Sequence, residues 1–183
     1  MFSVLKESGF VGLKAHMKNT CTKRDLYDPS AKKLSLELKS EKLFEFCPFS
    51  ELTRMEKSGN VSDYLVVLLV DNASGWLIGF GIGEVVDTNR LNYLFEKDYG
   101  SNELNATLHS PVLVIHHVGI IPAFRSNNYS YAILKEFAGL GLPTIVNTTS
   151  DSEDFWLKKG FLEYRDSSWL ASPNFFSVVT YRD

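Results

Sequence analysis

Hydrophobic positions along the chain change their rhythm near residue 60. Before it, apolar residues recur at helical spacing over Ala31–Phe46 and Phe49–Lys57, the second segment running out at Ser58-Gly59-Asn60. Residues 1–15 fit a strand, a helix or an extended arm. After residue 60 the pattern sharpens. Tyr64–Val70 (YLVVLLV) is a continuous β-branched and apolar run, short enough for a strand buried on both faces. Asp71-Asn72-Ala73-Ser74-Gly75 has turn chemistry, and Trp76–Val86 (WLIGFGIGEVV) completes an antiparallel hairpin. Residues 87–110 are polar and irregular, long enough to act as a lid or binding element. A third strand is predicted over Val112–Ile121, a helix over Asn127–Leu140 and a strand over Pro143–Asn147. Asp151–Lys159 is predicted as a helix stopped at Gly160, with final strands over Leu162–Asp166 and Phe175–Tyr181. The predicted order is helices, then β-β-β-α-β-α-β-β.

Composition narrows the class without naming it. The 183 residues suit one domain with a sizeable core, and 44% hydrophobic with 22% charged residues argues against global disorder. A net charge of −3 and the lack of any Lys/Arg run give no support to nucleic-acid binding. Cys21 and Cys47 form no CxxC, so two thiols in a reducing compartment is the expectation rather than a disulfide. No signal peptide or membrane-length apolar stretch is evident, and the chain reads as soluble and cytoplasmic. There is no G-x-S-x-G elbow, and the histidines and cysteines show no metal-ligand spacing.

Chemistry concentrates at the passage from the third strand into the following helix. A helix N-terminus leaves N–H groups without partners and carries about half a positive charge, so small side chains before it let the backbone close on a phosphate. Ser126, Asn127 and Asn128 suit that loop, and Arg125 offers a fork of donors to a pyrophosphate. The same residues also read as an ordinary capped helix with Arg125 on a solvated edge. His116 and His117 lie mid-strand, where alternation sends them to opposite faces. Histidine suits a base near neutral pH, and it equally serves as a hydrogen-bonded structural residue. Glu84 ends the second strand, either lining an acceptor site or simply exposed at a strand end. Gly79, Gly81 and Gly83 leave one face of that strand bare, for the close approach of a ligand or of another backbone.

Val118-Gly119-Ile120-Ile121-Pro122-Ala123-Phe124-Arg125, followed by Ile133-Leu134, resembles motif A of the GNAT superfamily of N-acyltransferases. Phe155-Trp156-Leu157-Lys158-Lys159-Gly160-Phe161 resembles its motif B, and the element order from residue 63 onward matches as well. The resemblance implies an α/β (α+β) fold: a mixed, twisted sheet of six to seven strands flanked by helices. It implies one domain over 1–183, with an N-terminal helical part (1–60) and an acyl-CoA-binding core (61–183). Acetyl-CoA as acyl donor would be held by Val118, Ile120, Arg125, Ser126, Asn127, Asn128, Tyr129, Ser130 and Trp156. The second substrate would be an amine, on a small molecule or a protein. His116, nine residues before Arg125, stands where arylalkylamine acetyltransferases place a proton-removing histidine. Glu84 and Tyr164 complete the candidate catalytic set.

Two departures stand out. Asn128 and Ser130 occupy positions that the family usually fills with Gly and Gly/Ala. Asn is the next most tolerant residue of positive φ, and Ser is small enough to lie under a phosphate. Trp156 replaces the tyrosine that protonates the departing thiolate, and an indole N–H cannot yield its proton at useful pH. Tyr129, Tyr131 or Tyr164 could compensate. The alternative these departures imply is a catalytically silent GNAT-like module binding acyl-CoA or a protein partner.

Overall fold

The computed structural model describes residues 1–24, 30–58, 60–87, 89–91, 93–94, 111–125, 127–164 and 176–181. Its seven strands are β1 (Phe2–Ser8), β2 (Tyr64–Asp71), β3 (Leu77–Val86), β4 (Val112–Ile120), β5 (Thr144–Thr149), β6 (Leu162–Tyr164) and β7 (Phe176–Tyr181). The helices are α1 (Val11–Arg24), α2 (Leu36–Leu43), α3 (Phe49–Ser58), α4 (Tyr129–Ala138) and α5 (Ser150–Lys158). Two compact units emerge, one of residues 1–83 and 117–136, the other of 84–116 and 137–183. Hydrogen bonding orders the strands β1-β2-β3-β4 in the first and β3-β4-β5-β7-β6 in the second, since β3 and β4 run through both.

In the first unit the hairpin forms where the apolar runs and the turn residues put it. The Asp71 carboxylate accepts from the Ser74 backbone N–H at 2.8 Å, and the Asp71 N–H donates to Trp76 O at 2.9 Å. That Asx-type closure explains why the chain reverses there. The β1 strand, open in the sequence reading, pairs antiparallel with β2 along its whole length, from Phe2 opposite Asp71 to Ser8 opposite Leu65. Leu13, Met17 and Cys21 recur every four residues on α1 and pack with Phe44, Leu52, Val66, Leu68, Phe80 and Ile82. Each large side chain so removed from water contributes about 1.5–3 kcal/mol.

The helix predicted over 31–46 is shorter. A 3₁₀ turn at Ala31–Lys33 precedes it, and Ser35 then caps α2 by accepting the Leu38 N–H at 3.2 Å. A serine oxygen satisfying an otherwise orphaned N–H starts a helix afresh, so the pattern divides at that residue. The bare face of β3 also finds its reason at one position. A Cβ on Gly79 would lie 2.4 Å from Gly119 O, so it is the backbone of β4 that approaches there.

In the second unit β4 and β5 are parallel, Leu113–Ile115 lying opposite Thr144–Val146. Parallel neighbours need a crossover, and the chain supplies it through α4. The β7 strand pairs antiparallel with both β5 and β6. Helix α5 stops where predicted, Gly160 taking a φ of 91°.

Candidate functional site

The passage from β4 into α4 belongs to the first unit. Ile121 N–H donates to Ile78 O at 2.9 Å, and a 3₁₀ turn over Pro122–Phe124 then carries the chain off the sheet. Proline suits the first position of that turn because its missing N–H has no partner to lose. Asn128 follows with a φ of 55°, and among the described residues it is the one non-glycine in the left-handed region. A Gly-like conformation is thus realised by the residue type that tolerates it best after glycine. Helix α4 begins at once, burying Ser130, Ile133, Leu134 and Phe137 on one stripe. Asn127 is exposed and donates from Nδ2 to Phe124 O at 3.4 Å, while Tyr129 meets Phe2 edge-to-face at 5.3 Å. Val118 and Ile120 are half-buried on β4, and Ser126 lies outside the described residues.

Arg125 is already engaged. Its Nε donates to Ile120 O at 3.1 Å, and its terminal nitrogen pairs with Glu45. Both side chains are about half exposed, which keeps such a pair weak and exchangeable. Glu45 did not figure in the sequence reading; eighty residues separate it from its partner, and nothing local announces the contact.

The second unit holds the tighter arrangement. Glu84 is buried, contrary to the reading of an exposed strand-end residue, with its side chain 5% accessible. One carboxylate oxygen lies 2.9 Å from His116 Nε2 and the other accepts from Arg90 Nε at 2.8 Å. A carboxylate inside a fold needs such partners, because desolvation alone is costly. Burial pushes the Glu84 carboxyl up, but the hydrogen bonds and charges of His116 and Arg90 outweigh it and hold the group below its ordinary value. Arg90 is itself placed with care: Asp87 accepts the Arg90 N–H at 2.8 Å, and the guanidinium lies 5.3 Å from the Tyr93 ring centroid. Arg90 was also missed in the sequence, where it opens the polar segment after β3 without a distinguishing neighbour.

His117 takes the other direction. Its Nε2 lies 3.5 Å from Glu51, which is already held by Arg54 on the same helix. Both cysteines are buried and neither forms a disulfide, and burial pushes the Cys47 thiol up, leaving it a poor nucleophile.

Trp156 is buried, meeting Phe161 at 5.1 Å and Phe155 at 5.2 Å, both edge-on. Tyr164 lies in β6, where the description is of backbone alone. Most of the 87–110 segment, residues 95–110, lies outside the described residues. Among the described residues no helix is long and apolar enough to cross a membrane, and no group of three metal-ligating side chains occurs.

No protein-family model matches the sequence, and no curated protein matches it. Solved structures do match in fold. A putative acetyltransferase of the GNAT family from Desulfovibrio desulfuricans superposes with a TM-score of 0.53 and 9% identity, over 98% of this chain and 97% of its own. The Bacillus subtilis N-acetyltransferase YlbP, solved with coenzyme A, gives 0.51 and 10% identity, over 100% of this chain and 97% of its own. The ribosomal-protein-S18-alanine N-acetyltransferase of Escherichia coli gives 0.51 and 14% identity, over 98% and 91%.

Proposed function

We propose that this chain, whose fold is that of the GNAT acetyltransferases, transfers an acetyl or other small acyl group from acyl-CoA to a primary amine by direct attack in a ternary complex. The observation that carries the reading is Asn128, held at a φ of 55° at the head of α4, where a phosphate-cradling loop needs a left-handed residue. Buried, small Ser130, the second residue of the helix, keeps the approach open. Ser126 and Asn127 are assigned to the phosphates as well, with Val118 and Ile120 flanking the pantetheine and Arg125 exchanging Glu45 for the pyrophosphate. His116 takes the proton of the attacking ammonium or amine, its imidazole oriented by Glu84. The thioester supplies a fair leaving group, and Tyr164 is the candidate donor to the departing thiolate. The amine is a small molecule or a protein amine.

A second reading, a silent acyl-CoA-binding module, draws on Trp156. Its indole stands in the tyrosine's place and is buried against Phe155 and Phe161.

The test begins with calorimetry of acetyl-CoA on the purified protein. Binding on the order of micromolar, about −8 kcal/mol, is expected, and Arg125→Glu should abolish it. Release of free CoA thiol with a panel of amines then separates the two readings. Binding without thiol release selects the silent module, and no binding removes both.

A further inference from the structure

The turn between α2 and α3 keeps its ends in the core and its two middle residues against the end of β4. Cys47 N–H donates to Phe44 O at 2.9 Å, closing a four-residue turn whose end side chains are both fully buried. Buried Ser40 fastens it further, its Oγ accepting the Phe49 N–H at 2.9 Å. With its ends packed in this way the tip is presented at a fixed place. Glu45 reaches Arg125 from that tip, and Phe46 lies on Gly119. A Cβ on Gly119 would overlap the Phe46 ring, so the ring fills the space where that residue's side chain would stand. Phe80 backs the ring at 4.9 Å between centroids. Unlike Phe44 and Phe80, Phe46 is only half-buried, and part of its surface stays open.

Gly119 sits between Val118 and Ile120, the two residues assigned to the pantetheine. We infer that Phe46 determines the length of acyl group the donor site accepts, limiting it to acetyl and its nearest homologue. A held aromatic ring beside this stretch of strand leaves room for a short acyl group. Each added methylene has to displace the ring or be turned away, because close-packed walls do not yield cheaply. Phe46 acts by shape alone and takes no part in proton transfer. The inference rests on the acyl-CoA reading of Val118 and Ile120, and it does not require that the protein complete the transfer.

The experiment is calorimetry of acetyl-, butyryl- and hexanoyl-CoA on the full-length protein, in wild type and in Phe46→Ala. Wild type should bind acetyl-CoA about tenfold or more tighter than butyryl-CoA, with hexanoyl-CoA weaker again. In Phe46→Ala the longer thioesters should draw level with acetyl-CoA or overtake it, since the vacated space lets each added methylene gain apolar burial. Should the Ala variant fail to fold, Phe46→Leu keeps an apolar group against Phe80 and should narrow the butyryl-to-acetyl ratio by about threefold or more. A wild type indifferent to chain length overturns the proposal. So does a variant whose ratios match wild type while all its affinities fall together, for the ring is then a packing residue only. With an accepted amine, thiol release should rank the same thioesters in the same order by kcat/KM. A protein that binds acetyl-CoA but shows flat ratios sinks this inference and leaves the acyl-CoA reading standing. One that binds none of the three thioesters removes both.

Discussion

Two adjacent histidines on β4 each meet a glutamate that an arginine also holds, and the two arrangements are otherwise unlike. His116 is 2.9 Å from a Glu84 side chain that is 5% accessible, whereas His117 is 3.5 Å from a Glu51 that is 23% accessible. Arg54 lies three residues from Glu51 on one helix, a pairing that helical geometry supplies locally. Arg90 reaches Glu84 from a separate capped turn. The balance of forces differs accordingly. At Glu51 the hydrogen bond from Arg54 is the leading influence and lowers the carboxyl, with burial opposing it. At Glu84 burial is the leading influence and raises it, and only the combined pull of His116 and Arg90 brings the group below its ordinary value. A buried carboxylate with two required partners is a fixed geometry; a half-buried one held by its own helix neighbour is an accessory to that helix.

The sharpest way to break that contrast is through chemistry. His116→Ala should lower acyl transfer by about 10²–10⁴-fold, the usual range for a positioned base, while His117→Ala should stay within about threefold. Equal losses in steady-state thiol release would mean that the assignment of the base is wrong. Stability comes next. Glu84→Ala leaves Arg90 and His116 facing an emptied buried site and should cost about 2–4 kcal/mol, against less than about 1 kcal/mol for Glu51→Ala, read from urea unfolding midpoints.

Acid sharpens the same comparison. Both carboxyls lie below their ordinary value of 4.5 when folded. Each therefore contributes stability that is fully present above 4.5 and lost as pH falls through the lower folded value. Unfolding followed from neutrality down to about pH 3 should flatten in Glu84→Gln, whose group no longer titrates. Glu51→Gln should flatten it as well, and comparing the two slopes weighs one site against the other. The smallest effect belongs to Glu45, which is more exposed than Glu51. Glu45→Gln releases Arg125 and should tighten acetyl-CoA by about two- to fivefold in calorimetry, the scale of one surface ion pair.

How much of this was legible in the sequence depended on how locally each feature is determined. The β2–β3 hairpin was readable because both strands are buried on nearly every residue and the turn closes through its own Asp71 and Ser74. Helix α4 was readable from the stripe Ser130, Ile133, Leu134, Phe137. The β1 strand was not, because FSVLKES is largely exposed and becomes a strand only through its ladder to β2, some sixty residues away. The division of the 31–46 pattern at Ser35 was visible in principle, since a serine followed by a turn of Leu and Glu is a helix start. Within the site, residue types pointed to His116 and Asn128, but not to what holds them. Glu84 reads as polar and its burial depends on partners 6 and 32 residues away, and Arg125 meets a carboxylate 80 residues distant. Proximity of that kind is written by the fold.

The close approach of β3 and β4 has a consequence for how the chain tolerates error. A one-residue slip of β4 would turn His117 to the side His116 now faces, and with it every other side chain of the strand. At Gly79 the backbone of Gly119 occupies the space where any side chain would begin. An alanine at position 79 would collide with Gly119 O and with Ile120, so the strands would have to move apart there. A hydrogen atom in place of a methyl group is thus what lets the two strand backbones stand this close.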